Sequence, residues 1–167
     1  MTGGSLGHSE IAANPVEALR RRLPRGGPCR AYRGDVKVAT REGSRIRYPD
    51  AVVTCSPRDR TADTAPEPVV VIEVLSPSTA GGDRVTNNGE CAGLPSVRRY
   101  VMLEQDRAAA TVFNRDVPGG PWTGRLLTGP GAALALPEIG SEALPLAELC
   151  EGLDLPGDDG DAEAAAA

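Results

Sequence analysis

A chain of 167 residues with 40% apolar residues suits one domain around a single core, and with one Phe and one Trp that core has to be filled by Val, Leu, Ile and Ala. No apolar run approaches the length of a membrane span, and the start "MTGGSLGHSE" lacks the apolar segment of a signal peptide; we therefore expect a cytoplasmic protein without a membrane partner. Cys29, Cys55, Cys91 and Cys150 are far apart and form no CxxC pair, which argues against a zinc site and leads us to expect reduced thiols.

The net charge of −5 conceals an asymmetry: residues 1–60 carry twelve Lys/Arg against six Asp/Glu, and residues 61–167 carry six against seventeen. From His8 to Leu23 the apolar Ile11, Pro15, Leu19 and Leu23 recur every four positions, which predicts an amphipathic helix with a kink or late start at Pro15 and an end at "PRGGP". The densest basic stretch follows, with Arg20, Arg21, Arg22, Arg25, Arg30 and Arg33. It reads either as a helix end whose arginines favour the dipole or as a contact surface for nucleic acid.

Next, "AYRGDVKVAT" and "SRIRYPDAVVTCS" read as two strands of a hairpin turning at "REGS", with Asp35 and Lys37 on one face by period-two alternation. Residues 56–68 are polar and carry prolines, as a loop would. "PVVVIEVL" is apolar on both faces, as in the middle of a covered sheet. "GGDRVTNNGECAGLPS" is a weak helix, since Asn87, Asn88, Gly89 and Gly93 are poor helix formers. Two strands, "VRRYVMLEQD" and "AAATVFNRD", turn at "QDRA"; "GPWTGRLLTGPGAALALPEIG" forms short edge strands, and "PLAELCEGL" a short closing helix. Residues 1–155 are thus one domain, and 156–167 an acidic, low-complexity tail expected to be disordered.

One glutamate, Glu73, interrupts the apolar core strand, and an unpartnered buried carboxylate costs several kcal/mol. Asp50 opens the preceding strand. Two carboxylates brought together repel, and a magnesium ion completed by water and phosphate removes that repulsion. Alternatively Glu73 pairs with Arg84, Lys37 or another cation as part of the scaffold. Among other candidates, a lone His8 on a helix is ordinarily solvated. Ser76 and Thr79 shape the turn after the core strand, and Tyr100 and Trp122 suit packing better than base stacking.

Asp50 in "YPDAVVTC", Glu73 in "VVVIEVLSPSTA", the pair Asp83-Arg84, and "LPSVRRYVMLEQD" resemble, in order and spacing, the Uma-type restriction endonuclease family, a branch of the PD-(D/E)XK nuclease superfamily. The resemblance extends to "GGSLGHSEIAANPVEALRRRL", "DVKVAT" and "LALPEIG", nearly the whole chain. It implies an α/β fold with a restriction-endonuclease-like core, a mixed central β-sheet flanked by helices. It also implies Asp50 and Glu73 as ligands of Mg2+ or Mn2+, DNA as the substrate, and hydrolysis of phosphodiester bonds; a homodimer is compatible with it. His8 becomes a site candidate on the same basis.

Three departures accompany the resemblance. Leu75 stands where the superfamily lysine would be, and Asn87 where this family usually carries one on the following helix. Cys91 takes the place of a usual tyrosine, and "MTGG" begins where the family's first strand normally ends, so a truncated N-terminus is expected. Lys37, the single lysine beside seventeen arginines, is then the remaining candidate for a catalytic ammonium. These departures predict an impaired endonuclease or, alternatively, an inactive homologue that binds nucleic acid.

Overall fold

The computed structural model describes residues 5–40, 45–75, 90–91 and 93–153. Of the expected weak helix, residues 81–96, Glu90 and Cys91 are helical, Gly93–Ser96 form turns instead, and the rest, like the acidic tail, lies outside the described residues.

The first helix, α1 (Leu6–Arg22), is started by Ser5, whose hydroxyl accepts the His8 N–H at 3.1 Å. It continues through Pro15, which is itself buried, so the missing amide costs one bond inside the helix without ending it. Ile11, Val16, Ala18 and Leu19 face the sheet; full burial of each large member contributes about 1.5–3 kcal/mol. Arg20, Arg21 and Arg22 occupy the last turn, where positive charge meets the negative end of the dipole.

Among the described residues ten strands follow: β1 (Arg30–Arg33), β2 (Val38–Thr40), β3 (Arg45–Arg47), β4 (Ala51–Thr54), β5 (Pro68–Leu75), β6 (Arg99–Glu104), β7 (Ala109–Asn114), β8 (Thr123–Thr128), β9 (Ala133–Leu136) and β10 (Ser141–Pro145). Six of them form one sheet in the order β1-β4-β5-β6-β7-β8. Only β5 and β6 run parallel in it; β1–β4, β4–β5, β6–β7 and β7–β8 are antiparallel. β5 therefore lies in the interior, as its apolar run requires. A short helix, α2 (Leu146–Leu149), closes against α1. This is a mixed α/β fold, a central mixed sheet flanked by helices.

Several sequence expectations need correction. "AYRGDVKVAT" is not one strand: it breaks at Gly34, β1 joins the main sheet beside β4, and β2 pairs with β3 in a separate hairpin. Asp35 and Lys37 consequently fall between β1 and β2, and the alternation argument that placed them on one face of a strand does not apply. β10 falls between the expected edge strands, which end at Gly140, and the expected closing helix, which starts at Pro145, in a stretch given no element. Gly140 makes a turn, at φ +74°, and the chain then pairs back on β9.

The cysteines differ too. Pairing Arg30 with Thr54 across β1 and β4 sets Cys29 opposite Cys55, and the two form a disulfide with Cα atoms 3.9 Å apart. The reason is topological, since the pair becomes adjacent only when β1 docks on a strand that follows it by one hairpin. Cys91 and Cys150 are free and buried.

The sheet has two covered faces. α1, α2 and the β9–β10 hairpin pack on one, over Val53, Val70, Ile72, Val101 and Leu103. On the other, Val38, Cys91 and Val97 cover Val52, Val71, Tyr100 and Met102. α1 and α2 are tied by Arg22, which donates to both carboxylate oxygens of Glu148 at 2.8 and 2.6 Å. No described helix is long and apolar enough to cross a membrane.

Candidate active site

The β4–β5 register pairs Ala51 with Ile72 and Val52 with Val71, so one step further along both strands Asp50 arrives opposite Glu73. Asp50 stays at the sheet rather than turning outward because its Oδ2 accepts the Val74 backbone N–H at 2.7 Å. The N-terminus of α1 closes the same end. His8 donates its Nε2–H to the Val74 carbonyl at 3.2 Å, which sets the tautomer, and lies 3.8 Å from Asp50 Oδ2. Three residues separated by up to 66 positions thus converge on the end of β5.

Both carboxylates are half-buried, and both are pushed above the ordinary range. For Asp50 burial is the chief cause, opposed by the Val74 hydrogen bond and by His8. For Glu73 burial again leads; Tyr100 and Arg47 oppose it, while the Asp50 charge pushes the same way as burial. Tyr100 is fully buried behind Glu73. Its hydroxyl makes no hydrogen bond of standard geometry, although Glu73 is close enough to act on it and, with burial, raises its pKa.

Of the cations weighed for Glu73, Arg84 lies outside the described residues. Lys37 is engaged elsewhere: its ammonium pairs with Asp63, and its backbone bridges to Thr64. Among the described residues, the cation that acts on Glu73 is Arg47, at the end of β3 and three residues before Asp50. Its Nε donates to Glu90 Oε2 at 2.6 Å, and Arg45 holds the other oxygen of Glu90 at 2.5 Å. This clamp lowers the Glu90 pKa through the Arg47 hydrogen bond. Cys91, next to Glu90, has its thiol pushed up to about 12, chiefly by burial and then by Glu73. Sequence reasoning gave Arg47 and Glu90 no role. The only signal was that "RIRYPD" puts an arginine on the same short connection as Asp50.

Trp122 stacks with Arg115, whose guanidinium lies 4.3 Å from the ring centre. Ser76, Thr79, Asp83 and Asn87 lie outside the described residues.

The paired carboxylates suit a divalent ion of the magnesium type, which commonly takes one or two protein carboxylates and fills its remaining positions with water and phosphate. Among the described residues, no group of three or more His, Cys, Asp and Glu side chains forms a fuller protein cage. Burial is the chief reason both carboxylates are raised, and for Glu73 the neighbouring Asp50 charge adds to it.

A stability prediction follows. Where a carboxylate's folded pKa exceeds its unfolded value, the folded state binds more protons across that interval. Its stability therefore falls as pH rises from the ordinary values, 3.8 for Asp50 and 4.5 for Glu73, through the higher folded ones. In metal-free buffer at neutral pH, Glu73→Gln should raise Tm and flatten its decline over this window. Each kcal/mol relieved is worth about 2–4 °C in a chain of this size. Scanning calorimetry from pH 4 to 8 checks this; an equal or lower Tm for Glu73→Gln at pH 7 would show that Arg47 already neutralises Glu73.

The central mixed sheet of six strands, flanked by helices and carrying Asp50 and Glu73 on neighbouring strands, is a mixed α/β fold shared with a nuclease-like solved structure. The chain belongs to the Uma2 family, described as "Putative restriction endonuclease", whose model matches residues 1–146. It is 31% identical over 120 residues to the uncharacterized protein slr1290 of Synechocystis sp., a match covering 71% of this chain and 63% of that relative's length. Among solved structures it resembles a putative nuclease belonging to DUF820 from Anabaena variabilis, with TM-score 0.65 and 20% identity over 87% of this chain and 81% of the other. At that identity the likeness is one of fold.

Proposed function

We propose that Asp50 and Glu73 form the divalent-cation site of an endonuclease that hydrolyses DNA phosphodiester bonds, with a turnover impaired by the loss of a catalytic lysine. The observation that carries this reading is the register placing Asp50 opposite Glu73, two half-buried carboxylates raised by burial on neighbouring strands. A bound magnesium or manganese ion would supply charge neutralisation at the phosphoryl group and a water of lowered pKa.

The chain's own residues set the rest. The Val74 N–H fixes the orientation of Asp50, leaving Oδ1 to face a ligand, and His8 pins the Val74 carbonyl. Arg47, restrained by Glu90, keeps a positive charge next to Glu73. Lys37 is left out of the reacting set, because Asp63 holds its ammonium. That pairing, and Asn87 in the place of the family lysine, also favour a second reading. In it, the chain retains the fold and binds nucleic acid without cutting it.

Calorimetric titration with Mn2+ and Mg2+ tests the site apart from turnover. Asp50→Asn and Glu73→Gln should each weaken binding at least tenfold. Metal at about a hundred times Kd should stabilise the wild type by about 2.7 kcal/mol and the variants far less. Unchanged binding in both variants would rule out the assignment.

A further inference from the structure

The arginines near the end of α1 do not behave alike. Arg21 contacts Glu17 at 3.9 Å, and Arg22 is paired with Glu148. Elsewhere, Arg45, Arg47, Arg99 and Arg107 each meet a carboxylate as well. By contrast, Arg20, Arg25, Arg30 and Arg58 line one cleft of about 350 Å³, and among the described residues none of the four forms an ion pair. The carboxylate next in sequence to Arg58, that of Asp59, is turned to Thr61 and accepts its N–H at 2.8 Å and its hydroxyl at 2.7 Å.

Two of the four are held in place by the backbone. Arg20 Nε donates to the Ala31 carbonyl at 3.2 Å, leaving both terminal nitrogens uncommitted. Arg30 directs one terminal nitrogen to the carbonyls of Gly27 and Cys29 and keeps its other donors. The Cys29–Cys55 disulfide joins the β1 wall, which carries Arg30, to the start of the loop that carries Arg58. Tyr32 also borders the cleft, while its half-buried ring packs against the core on the sheet face away from α1.

Four guanidinium groups without an ion-pair partner among the described residues line one concavity, in a chain of net charge −5, and together favour the entry of an anion. Planar guanidinium forks match phosphate oxygens, and a cleft of this volume admits a nucleotide as well as a bare phosphate. We propose that this cleft is a phosphate-ester site, with Arg20, Arg25, Arg30 and Arg58 as its anion ligands.

The cleft is separate from the carboxylates. Arg30 pairs with Thr54, four residues along the chain from Asp50, a span on the order of 13 Å at strand rise. On duplex DNA that length corresponds to roughly four base steps. The phosphate has two conceivable sources, a DNA backbone or a free nucleotide. The first rests on the nuclease reading above, the second does not.

The test uses the full chain, metal-free and carrying Glu73→Gln, so that neither cleavage nor the cation site contributes. Arginine side-chain NMR should show shifts for Arg20 and Arg30 with thymidine 5′-monophosphate and inorganic phosphate, and none with thymidine. Arg25→Glu/Arg58→Glu, both at exposed unpaired positions, should weaken these responses at least tenfold with the circular dichroism spectrum unchanged. Anisotropy with a labelled duplex identifies the source. If the backbone occupies the cleft, the double variant lowers DNA affinity at least tenfold and flattens the log–log salt slope by about 1.8, two phosphates at about 0.9 each. If a free nucleotide does, only mononucleotide binding falls. Absence of any phosphate response, or a folded double variant that binds both probes as the parent does, overturns the proposal. Absence of Mg2+- or Mn2+-dependent DNA cleavage by both the wild-type chain and Asn87→Lys, measured separately, with phosphate binding in the cleft intact, overturns the nuclease reading and leaves the cleft standing.

Discussion

Glu138→Leu should destabilise the protein by about 3–5 kcal/mol, a large part of the roughly 5–15 kcal/mol typical of a folded domain. The cause is Arg99, the first residue of β6, whose Nε and terminal nitrogen donate to the two Glu138 oxygens at 3.0 and 2.9 Å. Both side chains are almost dry, 9% and 5% exposed. With Glu138 removed, a guanidinium that cannot lose its proton stays buried and loses its partner at the joint between the sheet and the β9–β10 hairpin. Removing both charges should be much milder, so Arg99→Met/Glu138→Leu is expected to recover most of the loss. Urea denaturation of the two single variants and the double checks this. A cost below about 1 kcal/mol for Glu138→Leu would mean that water reaches the pair.

That ion pair also marks where the sequence stopped being readable. Arg99 lies in a segment read correctly as a strand, and Glu138 in a stretch read as Gly/Pro-punctuated edge structure. Nothing in either segment announces a contact across 39 residues. The same holds for Arg47 and Glu90, 43 residues apart, and for Cys29 and Cys55. Local rules see periodicity and turn chemistry; partner choice is decided by which strands become neighbours, and here β1 skips the β2–β3 hairpin to reach β4.

What was legible had a local or compositional cause. "PVVVIEVL" could only be an interior strand, because it is apolar on both faces. The spacing of Ile11, Pro15, Leu19 and Leu23 laid out one face of α1, and Pro15 sits where packing outweighs the lost amide bond. Glu73 stood out because charge is rare in such a run. Lys37 drew attention as the single lysine, and the structure gives its ammonium to Asp63, on a loop whose residues 63 and 65 hydrogen-bond with its backbone. A scarce residue type is conspicuous in a sequence, yet scarcity says nothing about position.

The largest functional effect is expected at Asn87, which the family resemblance puts where a lysine usually stands. The wild-type chain should cut DNA poorly, because Asn87 brings no charge to the position where the family resemblance puts a lysine; a donor to developing phosphoryl charge is commonly worth about 2.7–4 kcal/mol, a hundred- to a thousandfold in rate. Arg47 cannot fully substitute, since Glu90 restrains its Nε and a guanidinium does not act as a base at neutral pH. Asn87→Lys should therefore raise Mg2+-dependent nicking of plasmid DNA by a factor of that order. Adding Glu73→Gln should abolish the gain, because an ammonium without the cation site has no activated water to orient. The control that matters is metal affinity: if Asn87→Lys cuts faster with unchanged Mn2+ binding, the gain lies in the chemical step. Vigorous metal-dependent cleavage by the unmodified chain would contradict the impairment and make Arg47→Met the next variant to measure. If neither form cuts DNA under Mg2+ or Mn2+ while both bind it, the chain is a nucleic-acid-binding homologue that kept the carboxylates without the reaction.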